Sequence, residues 1–115
     1  MLRTNLTHVL SEQEHSKLLQ ENENVMICCG RMGPMCIPVY ESMEELESEY
    51  KNVKFADMEF DTPDARVIRN LPECRSFQGL PFVVYYKNGK VVKATSSIQS
   101  KEQITEILDE QFGKK

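Results

Sequence analysis

The chain has 115 residues, enough for one domain around one core, and 40% of them are apolar. Its net charge of −4 argues against nucleic acid or an anionic membrane surface as the main partner. No apolar run approaches the length of a membrane span. Residues 1–8, MLRTNLTH, lack the apolar core and cleavage site of a signal peptide. The expectation is a cytoplasmic monomer whose thiols stay reduced. Four cysteines in that setting point to catalysis, metal binding or simple burial rather than to structural crosslinks.

In chain order, residues 6–10 lean apolar and suit an edge strand. Ser11 and Glu14 have the spacing of a capping box, opening a helix to about Gln20 with Leu18 and Leu19 inward. Residues 25–29 form a short apolar run without alternation, the pattern of a strand buried on both faces. Gly33-Pro34 reads as N-cap and first helical residue. Val39, Met43, Leu46 and Tyr50 then recur at spacings of 4, 3 and 4, predicting a helix of about 17 residues kinked at Pro38. The opposite face carries Glu41, Glu44, Glu45, Glu47 and Glu49, a solvated acidic face. Residues 53–60 alternate as a strand, residues 65–71 suit a helix, and 71–79 a loop. Residues 80–87 form a strand, Asn88-Gly89 a hairpin turn, and residues 91–95 the returning strand. Ser100 and Gln103 cap a last helix with Ile104, Ile107, Leu108 and Phe112 on one face, stopped at residues 113–115. The order β-α-β-α-β-α-β-β-α implies an α/β domain with a mixed sheet covered by helices on both faces.

The chemistry concentrates in residues 25–40, where a strand hands Cys28, Cys29 and Cys36 to the start of a helix. Exposed amides and the helix dipole there favour negative charge on sulfur. Cys36, in the first helical turn, is the leading candidate for a reactive thiol. Cys28 and Cys29 point to opposite sides of their strand, so only one can face Cys36. Cys29, nearer the sheet edge, is the expected partner, with Cys28 in the core. Cys74 is either a third, resolving thiol or a surface cysteine without a partner. Arg31 in the loop, and Arg66, Arg69 and Arg75 around Cys74, could favour thiolate. Met32 and Met35 would form a soft lip for a partner. Zinc or an iron–sulfur cluster on the same thiols is a lesser alternative, because the paired Cys-x2-Cys spacing is absent. His8 and His15 are expected to lie far from the cysteines. No other cofactor is called for.

The element order, together with Gly-Leu-Pro-Phe-Val-Val-Tyr-Tyr-Lys-Asn-Gly-Lys-Val-Val at 79–92 and Phe-Ala-Asp-Met-Glu-Phe-Asp at 55–61, resembles the thioredoxin family over nearly the whole chain. Pro38-Val-Tyr-Glu resembles the kinked helix after that family's active site. The resemblance implies a thioredoxin fold, with a mixed sheet of about five strands flanked by four helices. It implies that Pro81 is cis and faces the redox cysteines. Gly79, Leu80 and Pro81 would then present backbone to an extended substrate, and the partners would be protein disulfides and a thioredoxin-reductase-type electron donor. Gly33 and Pro34 hold the middle of the family's motif, but Met32 and Met35 stand where its cysteines would be. There is no tryptophan. Cys28 stands in place of the family's buried acid, Asp57 in place of its lysine, and an apparent insertion at residues 69–75 brings Cys74 beside the site. The expected redox pair is therefore Cys29-x6-Cys36. The rival expectation is a redox-inactive adaptor that keeps the peptide groove beside Pro81.

Overall fold

The computed structural model describes residues 3–76 and 79–113. Five strands form one sheet: β1 (Thr7–His8), β2 (Asn24–Gly30), β3 (Lys54–Glu59), β4 (Phe82–Lys87) and β5 (Lys90–Ser96). Their order across the sheet is β1-β3-β2-β4-β5, with β1, β3 and β2 parallel and β4 and β5 antiparallel. The helices are α1 (Glu12–Glu21), α2 (Ile37–Leu46), α3 (Arg66–Arg69) and α4 (Lys101–Gln111), with 3₁₀ turns at Pro63–Ala65 and Pro72–Ser76. The α/β architecture is thus the one the pattern implies. β2 lies at the centre and every one of its residues is buried, which accounts for its unbroken apolar run.

Alternation along the strands divides the core. Met26, Cys28, Phe55, Val83 and Tyr85 pack with Val39, Tyr40, Met43 and Leu46 of α2 and Ile104 and Leu108 of α4. Val25, Ile27, Cys29, Ala56, Met58, Phe82, Val84 and Tyr86 pack on the other face with Ile68 of α3, and Leu18 and Leu19 of α1 lie against them. Adjacent residues of one strand therefore belong to different cores.

Local chemistry sets the ends. Asn88 and Gly89 both have positive φ, 54° and 80°, the backbone of a tight type I′ hairpin. Ser11 Oγ accepts the Glu14 amide as a cap should, but Glu14 reaches back to the Leu10 amide. The box at Ser100 is complete, with the Gln103 amide donating to Ser100 Oγ at 3.1 Å and the Ser100 amide to Gln103 Oε1 at 2.8 Å. Ser100→Ala should cost about 1 kcal/mol and lower the thermal midpoint by roughly 4 °C, read by calorimetry.

The second helix differs most from its expected form. It is 10 residues long, not about 17, and Tyr50 follows it in a separate turn. Pro38 stands in its first turn, where backbone amides have no intrahelical acceptor, so it removes no helical bond. Pro34–Cys36 is a turn closed on the Gly33 carbonyl, which accepts the Cys36 and Ile37 amides at 3.1 and 3.0 Å. Cys36, not Gly33, is the N-cap. The expected loop at 71–79 is partly a 3₁₀ turn; residues 77 and 78, and the stop at 114–115, lie outside the described residues.

Candidate functional site

The site is built where β2 ends. The side chains of β2 alternate, so Cys28 and the empty place at Gly30 share the α2 face. A Cβ at Gly30 would lie 2.8 Å from Cys36 Sγ, 2.8 Å from the Tyr40 hydroxyl and 3.4 Å from Pro81 Cβ. One glycine thus lets the N-cap of α2, the first turn of that helix and the start of β4 converge on one point. The Arg31 amide donates to Cys36 Sγ at 3.4 Å, and the Tyr40 hydroxyl donates to the Arg31 carbonyl at 3.2 Å. The Leu80–Pro81 peptide bond is cis. Leu80 is half-buried and touches both cores, and the Gly79 carbonyl accepts the Ser97 amide at 2.9 Å, tying this loop to the end of β5.

The lip is uneven. Met35 is 44% exposed, whereas Met32 is folded against the Cys36 core with its sulfur accepting the Arg3 amide at 3.3 Å. Gly33 and Pro34 form the turn that leads into Cys36, and that cysteine is only 3% exposed. The Arg31 guanidinium grips Asp61 with two bonds of 2.7 and 2.8 Å and lies over Phe60. That grip holds the Asp61 carboxyl below the usual carboxylate range.

The four cysteines are all free and all buried, but not in the expected grouping. Cys36 shares its core with Cys28, and Cys29 shares the opposite core with Cys74. The sheet lies between Cys29 and Cys36. Nearness to the sheet edge favours Cys29 in sequence, but the side-chain parity of β2 decides, and it gives Cys28 to Cys36. Cys74 is not a surface cysteine, being 5% exposed. Burial pushes the Cys28 thiol well above the ordinary range, and neighbouring Cys36, Cys29 and Asp57 add to the shift. Burial pushes Cys29 up to about 12, with Cys74 adding and Arg69 opposing. Arg69, not Arg75, is the cation acting on Cys29 and Cys74; Arg75 is exposed.

Beneath Cys28 lies the residue that the resemblance sets where the family has a lysine. Asp57 is the cross-strand neighbour of Cys28 on β3 and of His8 on β1, and is 1% exposed. Its carboxylate accepts from Thr4 Oγ and pairs with His8 Nδ1 at 2.7 Å. Burial raises its pKa, and the Thr4 and His8 hydrogen bonds oppose that rise. His8 is therefore one residue removed from the cysteine layer. His15 stands apart, with Nε2 3.1 Å from the Tyr86 hydroxyl. Among the described residues, no three His, Cys, Asp or Glu side chains gather as a metal site requires. No described helix is long and apolar enough to cross a membrane.

No family model matches the sequence, and no curated protein sequence matches it either. Solved structures do match. Thioredoxin f2 of Chlamydomonas reinhardtii aligns with a TM-score of 0.79 at 13% identity, covering 96% of this chain and 100% of that one. Mitochondrial thioredoxin 3 of Saccharomyces cerevisiae, in its oxidised form, gives 0.74 at 19% identity over 91% and 94%. Oxidised thioredoxin of Plasmodium falciparum gives 0.70 at 17% identity over 92% and 97%. With the strand order and helix placement described above, these likenesses identify the chain as a thioredoxin-fold protein.

Proposed function

We propose that this protein is a thiol–disulfide oxidoreductase that acts on extended polypeptides, with Cys36 as the attacking thiol. The observation that carries this reading is the convergence at Gly30, which sets Cys36 Sγ beside Pro81 at the open end of the sheet. A substrate strand laid along Gly79, Leu80 and Pro81, with Met32 and Met35 as the apolar lip, would bring its disulfide to that sulfur. The Arg31 amide donates to that sulfur and fixes its direction.

In the first step the Cys36 thiolate attacks one substrate sulfur. The substrate S–S bond breaks and its other sulfur leaves as a thiolate. In the second step Cys28 gives its proton to Asp57 and attacks Cys36 Sγ, releasing the second substrate thiol and leaving a Cys28–Cys36 disulfide. His8, 27% exposed, lies between that carboxyl and solvent. Two electrons have moved from protein to substrate, and a thioredoxin-reductase-type donor restores the dithiol. The Cys29–Cys36 pair is the alternative closing step, and it is ranked below because the sheet separates the two side chains. The burial of all four cysteines favours a second reading, an adaptor that uses the same groove without exchange.

The test is reduction of insulin disulfides at a fixed dithiothreitol concentration. The wild-type protein should accelerate it, and Cys36→Ser should fall at least ~100-fold toward the buffer rate while keeping its fold. Cys28→Ser should accumulate the mixed disulfide, and Cys29→Ser should still turn over. A wild-type rate equal to that of dithiothreitol alone would leave the adaptor.

A further inference from the structure

Cys29 and Cys74 take no part in the exchange just described. They lie across the sheet from Cys36, in one buried cluster with Met58, Ala65, Ile68 and Phe82. Cys29 is the last side chain that β2 sends to that face. Cys74 comes from the 72–76 turn, where Pro72, Glu73 and Arg75 are exposed and Cys74 is turned inward. The Cys74 amide on the Leu71 carbonyl, 2.9 Å, closes the turn that points it there. Arg69 is held by the carbonyls of Phe60 and Thr62 at 2.5 and 2.8 Å, and its charge acts on both sulfurs. The Cys74 sulfur in turn acts on Cys29, so the two lie within Coulombic reach of each other.

We infer that Cys29 and Cys74 are a second dithiol–disulfide couple, walled off from the Cys36 site by the sheet and oxidised by a low-molecular-weight disulfide. Cys74 attacks first, because it is 5% exposed and comes from a turn whose residues Pro72, Glu73 and Arg75 face solvent, whereas Cys29 has no exposure at all. Its thiolate takes one sulfur of glutathione disulfide; that S–S bond breaks, and one glutathione leaves as a thiol. Cys29 then attacks the Cys74 sulfur of the mixed disulfide and expels the second glutathione thiol. The protons of Cys29 and Cys74 end on the two glutathiones, and the protein has lost two electrons. The new bond ties the end of β2 to the segment that leads into Leu80–Pro81. Its closure would therefore stiffen the loop that the Cys36 site uses to hold substrate.

The full chain carrying Cys28→Ala and Cys36→Ala keeps only these two thiols and lacks the exchange site, so its behaviour is independent of that activity. On incubation with glutathione disulfide it should lose both titratable thiols, stay monomeric, carry no adduct and drop in mass by two hydrogens. Its thermal midpoint should rise by at least ~5 °C. Tryptic mapping of the oxidised wild-type chain checks the same bond without those substitutions. Peptide 70–75 should be joined to peptide 18–31, and 18–31 also to 32–51. Two thiols that persist, a glutathione adduct on Cys74 that never resolves, an intermolecular dimer, or a free 70–75 peptide in the oxidised wild type would each overturn the assignment.

Discussion

Gly30→Ala should reduce disulfide exchange about 100-fold, because a displacement near 1 Å of a reacting group costs roughly that much. The methyl would meet Cys36 Sγ and the Tyr40 hydroxyl at 2.8 Å and Pro81 Cβ at 3.4 Å. None of these can yield freely. The sulfur sits one bond from Cβ, so it moves only by leaving its rotamer and the Arg31 amide that points at it. The Tyr40 ring is 2% exposed and packed in the core, and shifting it breaks its bond to the Arg31 carbonyl. Overpacking of this kind costs about 1–3 kcal/mol, a fall of roughly 4–8 °C in midpoint for each kcal/mol. Gly33→Ala is the control. No atom lies within 4 Å of the place its Cβ would take and its φ is not positive, so both readouts should stay near wild type. Equal exchange rates in Gly30→Ala and Gly33→Ala would mean that the convergence at Gly30 is not where the chemistry occurs.

The contrast between these glycines shows what the sequence carries and what it conceals. The fold is legible because each element announces itself locally. The unbroken apolar run of β2, the Asn88-Gly89 turn and the Ser100–Gln103 box each have a local cause that the tertiary structure leaves intact. The length of α2 is less legible, since the apolar stripe continues to Tyr50 in a separate turn that reaches the same core. The site is less legible still. Gly33-Pro34 attracts attention because it belongs to a known motif, yet Gly30 is the position where space is needed. Cys29 and Cys36 suggest a pair by spacing, yet the period of two along β2 sends them to opposite faces. That parity was readable once β2 was known to be central, but which face α2 covers was not. Asp57 did leave a trace: it occupies the inward slot two residues after Phe55 in an alternating strand. A charged residue in that register implies a buried partner, and His8 supplies it from β1, 49 residues away in sequence.

Asp57→Asn should make the folded protein more stable at neutral pH and slow the resolving step. Burial raises the folded-state pKa of Asp57 above the ordinary carboxylate value of 3.8. The folded chain therefore binds this proton more readily than the unfolded chain does. Its contribution to stability is fully present below the unfolded value and is lost as pH rises through the folded one. The asparagine carries no such titration, so the wild-type curve should fall relative to the variant across that window and then run parallel to it. At pH 7 the variant should therefore show the higher thermal midpoint, read by calorimetry. The hydrogen bonds survive the change, with the carboxamide oxygen accepting from His8 Nδ1 and its NH₂ donating to Thr4 Oγ. The functional effect has the opposite sign. Without a carboxylate beside Cys28, the proton of the resolving thiol has no local acceptor, and decay of the Cys36 mixed disulfide should slow by about 100-fold. Stopped-flow decay at several pH values separates this from a purely structural role. The wild-type rate should rise through the Asp57 titration and level off, whereas the variant should climb only at alkaline pH. Stabilisation with an unchanged pH–rate profile would assign Asp57 to packing and return the proton to solvent by another path.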